Sequence, residues 1–574
     1  MNRKNLTAAV LAGLAGAAGI AGTAQAVNLN PDGLGQVLIY PYYTSNDGNA
    51  TILSVVNTTD SGKAVKVRFK EGYNSREVLD FNMYMSAYDV WVAAIADHNG
   101  TPTLYIPDST CTVPYLYENN VVNGVGSQAF LPYAYTGDHE DGGPTSIQRA
   151  AEGYFEMIEM GTIHKDTDTY GYLEHEVSST GVQAPADCGA LVDAWTVNPD
   201  GYWIDDPTTD ISRNSGGLFG GAAVINVGNG TMFSYDARAI QGYDQTADGV
   251  HYEPGTSNPS LNDGSQNSAT VFFGVPSDEA VTMSYPRPVD AISAVFMHEY
   301  TMNEYNIQSG LHAASEWVMT FPTKAWYVDK EIVPYETQWI PDSADPGCGG
   351  WQPGDEPFPP RTGRDYTDSV DQSDTNSNGI PDSQEDWVLC SYVELDITTA
   401  IPPFTNLFDG EACEAFGFQI WDREENASSS SNNSIPPIVS PPPPGGTPPP
   451  GGNDMCYEVN VLRFGNDGNF PVIFGTPTIQ GSSLLKTVDT GSVEFNSSAG
   501  SKPRQNGWAR VNWYSDTDHE DYAGLVGLPV TGFWAEQFEN GYLGTPEASV
   551  LSNYGGLFQH KGNVRRVCSK EICD

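Results

Sequence analysis

The chain has 574 residues, of which 73 are acidic and 26 basic, giving a formal net charge of −47 at pH 7. Such a surface repels phosphates and excludes nucleic acid as a partner, since that binding rests on Lys and Arg neutralising the backbone. An aromatic content of 11 % with 30 tyrosines excludes a disordered chain and supplies apolar area for two or more packed domains.

Arg3 and Lys4 precede an apolar run from Ala8 to Gly22 and then Ala24-Gln25-Ala26, the layout of a cleavable signal peptide over residues 1–26. The run of about 15 residues is shorter than the roughly 20 that span a bilayer, and no later segment is longer, so no transmembrane segment is expected after cleavage. The protein is expected to be secreted or held at the cell surface, with the periplasm as the alternative. Losing Arg3 and Lys4 leaves 24 − 73 = −49. Divalent bridging to an anionic envelope and a high-salt milieu both account for so acidic a chain.

All eight cysteines follow the signal: Cys111, Cys188, Cys348, Cys390, Cys413, Cys456, Cys568 and Cys573. An even count in an exported chain favours disulfides, and no Cys-x-x-Cys spacing suggests zinc or redox chemistry. Three lie between Cys348 and a proline tract and three after it, so full pairing needs a bridge across that tract. Cys111 with Cys188 is the natural remaining pair.

From Val37 the pattern is β. Val37–Thr44, Thr51–Asn57, Ala64–Phe69 and Val78–Met85 are short β-branched or aromatic runs separated by polar turns. In Ala64–Phe69 the valines and Phe69 alternate with Lys66 and Arg68, which predicts one buried and one wet face. Runs of this length at roughly 10-residue spacing indicate an antiparallel sandwich of the immunoglobulin-like or jelly-roll-like kind. The stretches V-V-N-T-T-D, A-V-K-V-R-F-K-E-G and L-D-F-N-M-Y-M-S resemble exported bacterial surface proteins with a tandem β-sandwich plan, a likeness that runs through Ser315 to Lys324 and implies fold but no catalytic residue.

Glu152–Gly161 reads as a strand in preference to a helix. Ala222–Val227, the Gly228-Asn229-Gly230 turn and Thr231–Ala237 read as a hairpin. Two short helices are expected over Cys188–Trp195 and Val289–His298, the second opened by Pro288. Trp317–Phe321 is another strand, ended by Pro322.

Between Asp342 and Asp386 eleven carboxylates face only Arg361 and Arg364. Within it, D-T-N-S-N-G-I-P-D-S-Q-E (Asp374 to Glu385) has calcium-loop spacing. Asp374, Asn376 and Asn378 offer side-chain oxygens at alternate positions, Gly379 permits the turn, Ile380 offers its carbonyl, and Asp382 and Glu385 complete a Ca²⁺ shell. The run is similar to an EF-hand loop, but no apolar 3.6-residue period precedes it and Pro381 lacks the N–H that pairs two such loops. It is closer to thrombospondin type 3 or dockerin-like loops, a likeness that implies a rigidified linker and not a sensor. An acidic surface turn without an ion is the plainer alternative.

Cys390–Ile397 and Gly417–Asp422 are expected to be strands returning to the first domain, residues 27–427. Residues 428–452, a Ser/Asn tract then I-P-P-I-V-S-P-P-P-P-G-G-T-P-P-P-G-G, are a semi-rigid linker. Residues 453–574, about 120 in length, suit one further β-sandwich.

Enzyme signatures are absent: no H-E-x-x-H, no G-x-S-x-G, no phosphate or dinucleotide loop. Two D-H-E-D strings, Asp138–Asp141 and Asp518–Asp521, read as solvated turns with a second cation site as the alternative. Trp508, Trp513 and Trp534 are either sandwich core or a sugar-stacking platform. These features indicate an exported, calcium-stabilised, non-catalytic structural or adhesive protein, through self-assembly or envelope polysaccharide bridged by divalent cations. The alternative is a secreted polysaccharide-active enzyme with a C-terminal carbohydrate-binding module.

Overall fold

The computed structural model describes residues 26–332 apart from 119, 178–180, 182, 198–200 and 274–278, then 339–341, 392–394, 400–423, 427–429, 453–467, 470–474, 506–513, 524–545 and 548–566. Residues 1–25 of the expected signal, residues 430–452 of the expected linker and residues 374–385 lie outside these, while Ser428 and Ser429, expected in the linker, pair as a strand with Ile420 and Gln419. The fold is mainly β, with antiparallel sheets and, among the described residues, five short α-helices.

In chain order the first layers are built from β1 (Val37–Thr44), β2 (Asn49–Asn57), β3 (Gly62–Glu71), β4 (Glu77–Met85), β5 (Val90–His98), β6 (Thr101–Ile106), β7 (Cys111–Val113), β8 (Gly126–Ala129), β9 (Glu152–Ile163), β10 (Leu218–Asn226), β11 (Thr231–Asp236) and β12 (Arg238–Gln241). A central sheet takes the order β12-β1-β9-β3-β4-β7, and an outer sheet the order β11-β10-β2-β5-β6-β8. Alternate residues meet between them, with Tyr40, Val67, Phe81, Trp91, Phe155 and Val224 in one core. The hairpin closes at residues 227–230 as its turn chemistry predicts.

The central sheet is buried on both faces. All ten residues of β3 are buried, so Lys66 and Arg68 do not line a wet face as their alternation predicted. The second face is covered by α1 (Asp168–Leu173), α2 (Cys188–Ala194), α3 (Tyr202–Asp205) and α4 (Pro288–Phe296), whose apolar residues fill two further cores. A covered charge persists only with a partner. Lys63 meets Glu159 at 2.6 Å, Lys66 meets Asp80, and Arg68 meets Glu77 at 2.7 Å and Glu156 at 3.0 Å. Proline at the first turn and the Asp290 carboxylate, which accepts from the Arg287 N–H at 3.1 Å and its guanidinium at 2.7 Å, start α4 where expected.

The second sandwich uses β13 (Tyr300–Asn306), β14 (Ala313–Thr320), α5 (Ala325–Val328), β15 (Glu414–Asp422), β16 (Val459–Asp467), β17 (Phe470–Phe474), β18 (Asn506–Trp513), β19 (Thr531–Thr545), β20 (Ala548–Gln559) and β21 (Lys561–Asn563). Its sheets run β15-β18-β13-β21 and β17-β16-β14-β19-β20. Residues 453–574 therefore do not form a sandwich of their own. β16 and β19 flank β14, and β18 lies between β13 and β15, so strands from both sides of the linker share each sheet. β15 belongs here and not with the first sandwich. The physical reason is edge closure: β13 and β14 need partners on both sides, and the strands beyond the linker supply them.

Period 2 in β14 and β19 serves two cores at once. Trp317, Met319 and Trp534 point into the second core, while Val318, Phe533 and Ala535 point into the first. There Phe533 stacks on Tyr235 at 5.2 Å and meets Tyr42 edge-on at 6.1 Å. Among the described residues two disulfides are formed, Cys111–Cys188 and Cys413–Cys456, and the latter crosses the proline tract.

Candidate functional site

The acidic segment and its calcium residues Asp374, Asn376, Asn378, Ile380, Asp382 and Glu385 lie outside the described residues, but the chain on either side of it is placed. Ile401 N–H donates to the Tyr327 carbonyl at 3.0 Å and Phe408 N–H to that of Val328 at 2.9 Å, so the chain leaves α5 and returns to the same spot. A buried ion network stands beside this point. Arg149 forks onto Glu71 (2.8 and 3.1 Å) and onto Asp141 (2.8 and 2.6 Å), Arg76 reaches Asp329 at 2.8 Å and also pairs with Glu331, and Asn74 bridges Asp141 and Asp329 at 3.0 and 3.1 Å. The Glu71 carboxylate also accepts from the N–H groups of Tyr73, Asn74 and Arg76, shaping the turn on which the post-linker chain docks through Val459 N–H to Gly72 O at 2.9 Å.

Burial sets the protonation of this junction. It pushes the Asp329 carboxyl up to about 6 against the pull of Arg76, and raises Glu458 far above the carboxylate range. Neither Glu458 oxygen has a hydrogen-bond partner among the described residues, which suits a protonated acid. Burial also lowers the Lys324 ammonium, whose protons go to the carbonyls of Ala412 (2.6 Å) and Cys456 (3.0 Å). Burial would raise Asp141 too, but the bonds from Arg149 hold it below its ordinary value. The first D-H-E-D turn thus has its last carboxylate committed to arginine. The second, Asp518–Asp521, lies outside the described residues. Glu411 approaches the sulfurs of Cys413 and Cys456, but these are bonded to each other and present no thiolate to a metal.

A groove of about 490 Å³ opens between α2–α3 and residues 249–258, within the size range of small-ligand sites. Its wall includes Trp195, Trp203 and His251: His251 lies against Trp203 at 4.7 Å and Trp195 at 5.1 Å, and Tyr84, outside the lining, stacks on Trp203 at 5.0 Å. Because the Pro207 carbonyl only accepts, His251 Nδ1 carries the proton that bonds it at 2.7 Å, and Nε2 accepts from the Tyr84 hydroxyl at 3.0 Å. Tyr84 in turn accepts from Trp195 Nε1 at 2.9 Å, and burial pushes His251 down to about 4. The imidazole is neutral with both nitrogens engaged, so it fixes ring orientations and has no lone pair free for a proton or a metal. No family model, curated protein or solved structure matches this chain. The groove must be read from its own chemistry, and sequence inspection missed it because Tyr84, Trp195, Trp203 and His251 share no local pattern. The one pointer was the Cys111–Cys188 pair, which fixes the start of α2.

The three tryptophans of the expected platform are divided. Trp513 and Trp534 are core residues, whereas Trp508 is 38 % exposed and stacks on Trp421 at 4.1 Å across β15 and β18. Arg510 lies 5.7 Å from the Trp421 ring and bonds Gln419 at 3.1 Å.

Proposed function

We propose that the protein is an exported, calcium-stabilised, non-catalytic structural or adhesive component of the cell surface or extracellular layer. The observation that carries this reading is where the interior ionisable groups go. Glu71, Arg76, Asp141, Arg149 and Asp329 are tied to one another at the junction of the two sandwiches, and the groove histidine has both nitrogens bonded. Charges arranged in this way hold layers together. Calcium joins the scheme through Asp374, Asn376, Asn378, Asp382 and Glu385 as side-chain ligands and Ile380 as a carbonyl ligand, relieving carboxylate repulsion in a segment whose two ends meet at α5. Assembly with itself or with envelope polysaccharide follows through divalent bridges between anionic surfaces.

A second reading, direct glycan attachment, is favoured by the exposed Trp508 stacked on the half-buried Trp421 and flanked by Arg510 and Gln419. The test of the first is fractionation of cells with and without chelator. The protein is expected in the envelope fraction and released by chelator. Recovery as a freely soluble species regardless of chelator contradicts the reading.

A further inference from the structure

The outer sheet of the first sandwich has an outward face unlike the rest of this acidic chain. Strand register defines it: Ile52 faces Ala94 on one side and Ala223 on the other, and Val56 faces Val90 and Phe219. Ile52, Val90, Phe219 and Met232 are 45, 46, 43 and 54 % exposed. Across the outward positions of β11, β10, β2, β5 and β6 there is no lysine, arginine or glutamate, and the one carboxylate, Asp236, sits on the edge strand. An antiparallel sheet normally turns polar residues to water on such a face. This one turns mainly Ala, Val, Ile, Ser and Thr, with Phe219, Met232 and Tyr105 among them and His98 at one end.

We infer that this face is a self-association surface on which a second copy of the chain docks sheet to sheet. Charge selects the occupant. Two chains of net charge −47 repel through any ordinary acidic face, and only a charge-free one brings them together without burying like charges. Alanines and a serine between Ile52, Phe219 and Met232 leave room for side chains of a facing sheet to interdigitate at about 10 Å, and a two-fold pairing is self-complementary by symmetry. A lipid surface is the poorer fit, since anionic headgroups repel the chain around the patch. With strands about 4.8 Å apart and face residues about 6.7 Å apart, roughly 20 outward positions cover about 600 Å². A standard interface takes about 800 Å² per partner, so the pairing is reversible and at the small end. The inference adds to the structural reading a self-association route that needs no divalent bridge, separate from bridging between anionic surfaces, and rests on that reading only for its biological setting.

Sedimentation velocity of the full chain from ~1 to ~100 µM, in calcium and in chelator, tests it. The wild type is expected to pass from monomer to dimer over this range in both conditions, and Ile52→Glu/Ala223→Glu to weaken the dimer at least ~10-fold with an unchanged melting temperature. Should those charges lower the melting temperature, Ile52→Cys treated with a bismaleimide replaces them, and a cross-linked dimer is the expected product. A wild type that stays monomeric, a dimer indifferent to Ile52→Glu/Ala223→Glu, or no cross-link from Ile52→Cys overturns the inference. A monomer that remains envelope-bound and chelator-released refutes this face alone. A dimer in a protein found free of the envelope supports the face and refutes the structural reading.

Discussion

His251 and Asp329 titrate in opposite senses, and the two signs give separable predictions. His251 is held at about 4 against an ordinary value near 6.5 by burial, so the unfolded chain binds its proton first. Its contribution to stability is present above about 6.5 and is lost as pH falls towards 4. Between pH 7 and 4.5 that loss amounts to about 2 kcal/mol, and His251→Gln is expected to lose less by roughly that amount in denaturant unfolding. Equal losses in both proteins would contradict the assignment. Asp329, raised to about 6, favours the folded state when protonated, so its contribution is present at low pH and is lost as pH rises from about 4 to 6. Asp329→Asn should remove that opposing slope from the stability profile. Arg149 touches two buried carboxylates, and Arg149→Ala strips both of their shared guanidinium, leaving Glu71 to backbone N–H groups and Asp141 to Asn74 and a longer contact with Arg76, an expected cost of about 3–5 kcal/mol by chemical denaturation. A cost below about 1 kcal/mol would show the network to be solvated.

Element existence was readable in the chain, and element partnership was not. Val37–Thr44, the residue 222–236 hairpin and the proline-started α4 form because their signals are local: side-chain period, a Gly-Asn-Gly turn, a residue without an N–H. Lys66 and Arg68 misled because alternation reports two faces and not what covers each of them, and here the chain that reaches Arg68 and the Asp80 partner of Lys66, around Pro259 and Gly255, lies more than 150 residues later in the sequence. The groove was invisible for the same reason, its wall drawing on Trp195 and Trp203 and, far from them in the sequence, on His251, with the still more distant Tyr84 bonded to it. The linker misled differently, since a spacer between two strands does not forbid them from sharing a sheet. Cys413–Cys456 spans 43 residues, and replacing both by serine is expected to cost about 2–4 kcal/mol in thermal or denaturant unfolding. No measurable change would mean that β14, β15, β16 and β18 hold the crossing without it.

The molecule as a whole is two sandwiches sharing strands across a tract that resembles a separator. Proteolysis within residues 428–452 is therefore expected to leave both fragments associated under native conditions, even after reduction, because β16, β18 and β19 remain in sheets with β13, β14 and β15. Free fragments on a sizing column would contradict the shared sheets. At this scale the negative charge and the acidic segment become one problem, since 73 carboxylates repel until a cation joins some of them. The calcium-loop reading rests on ligand spacing within a single dozen residues, the kind of signal a locally built site gives, and those residues lie outside the described ones. The most direct measurement is the melting temperature of the full chain against calcium concentration, for the wild type and for Asp374→Ala/Glu385→Ala. A rise of a few degrees in the wild type and a flat response in the double variant are expected. Equal responses in the two proteins would contradict calcium stabilisation through this loop.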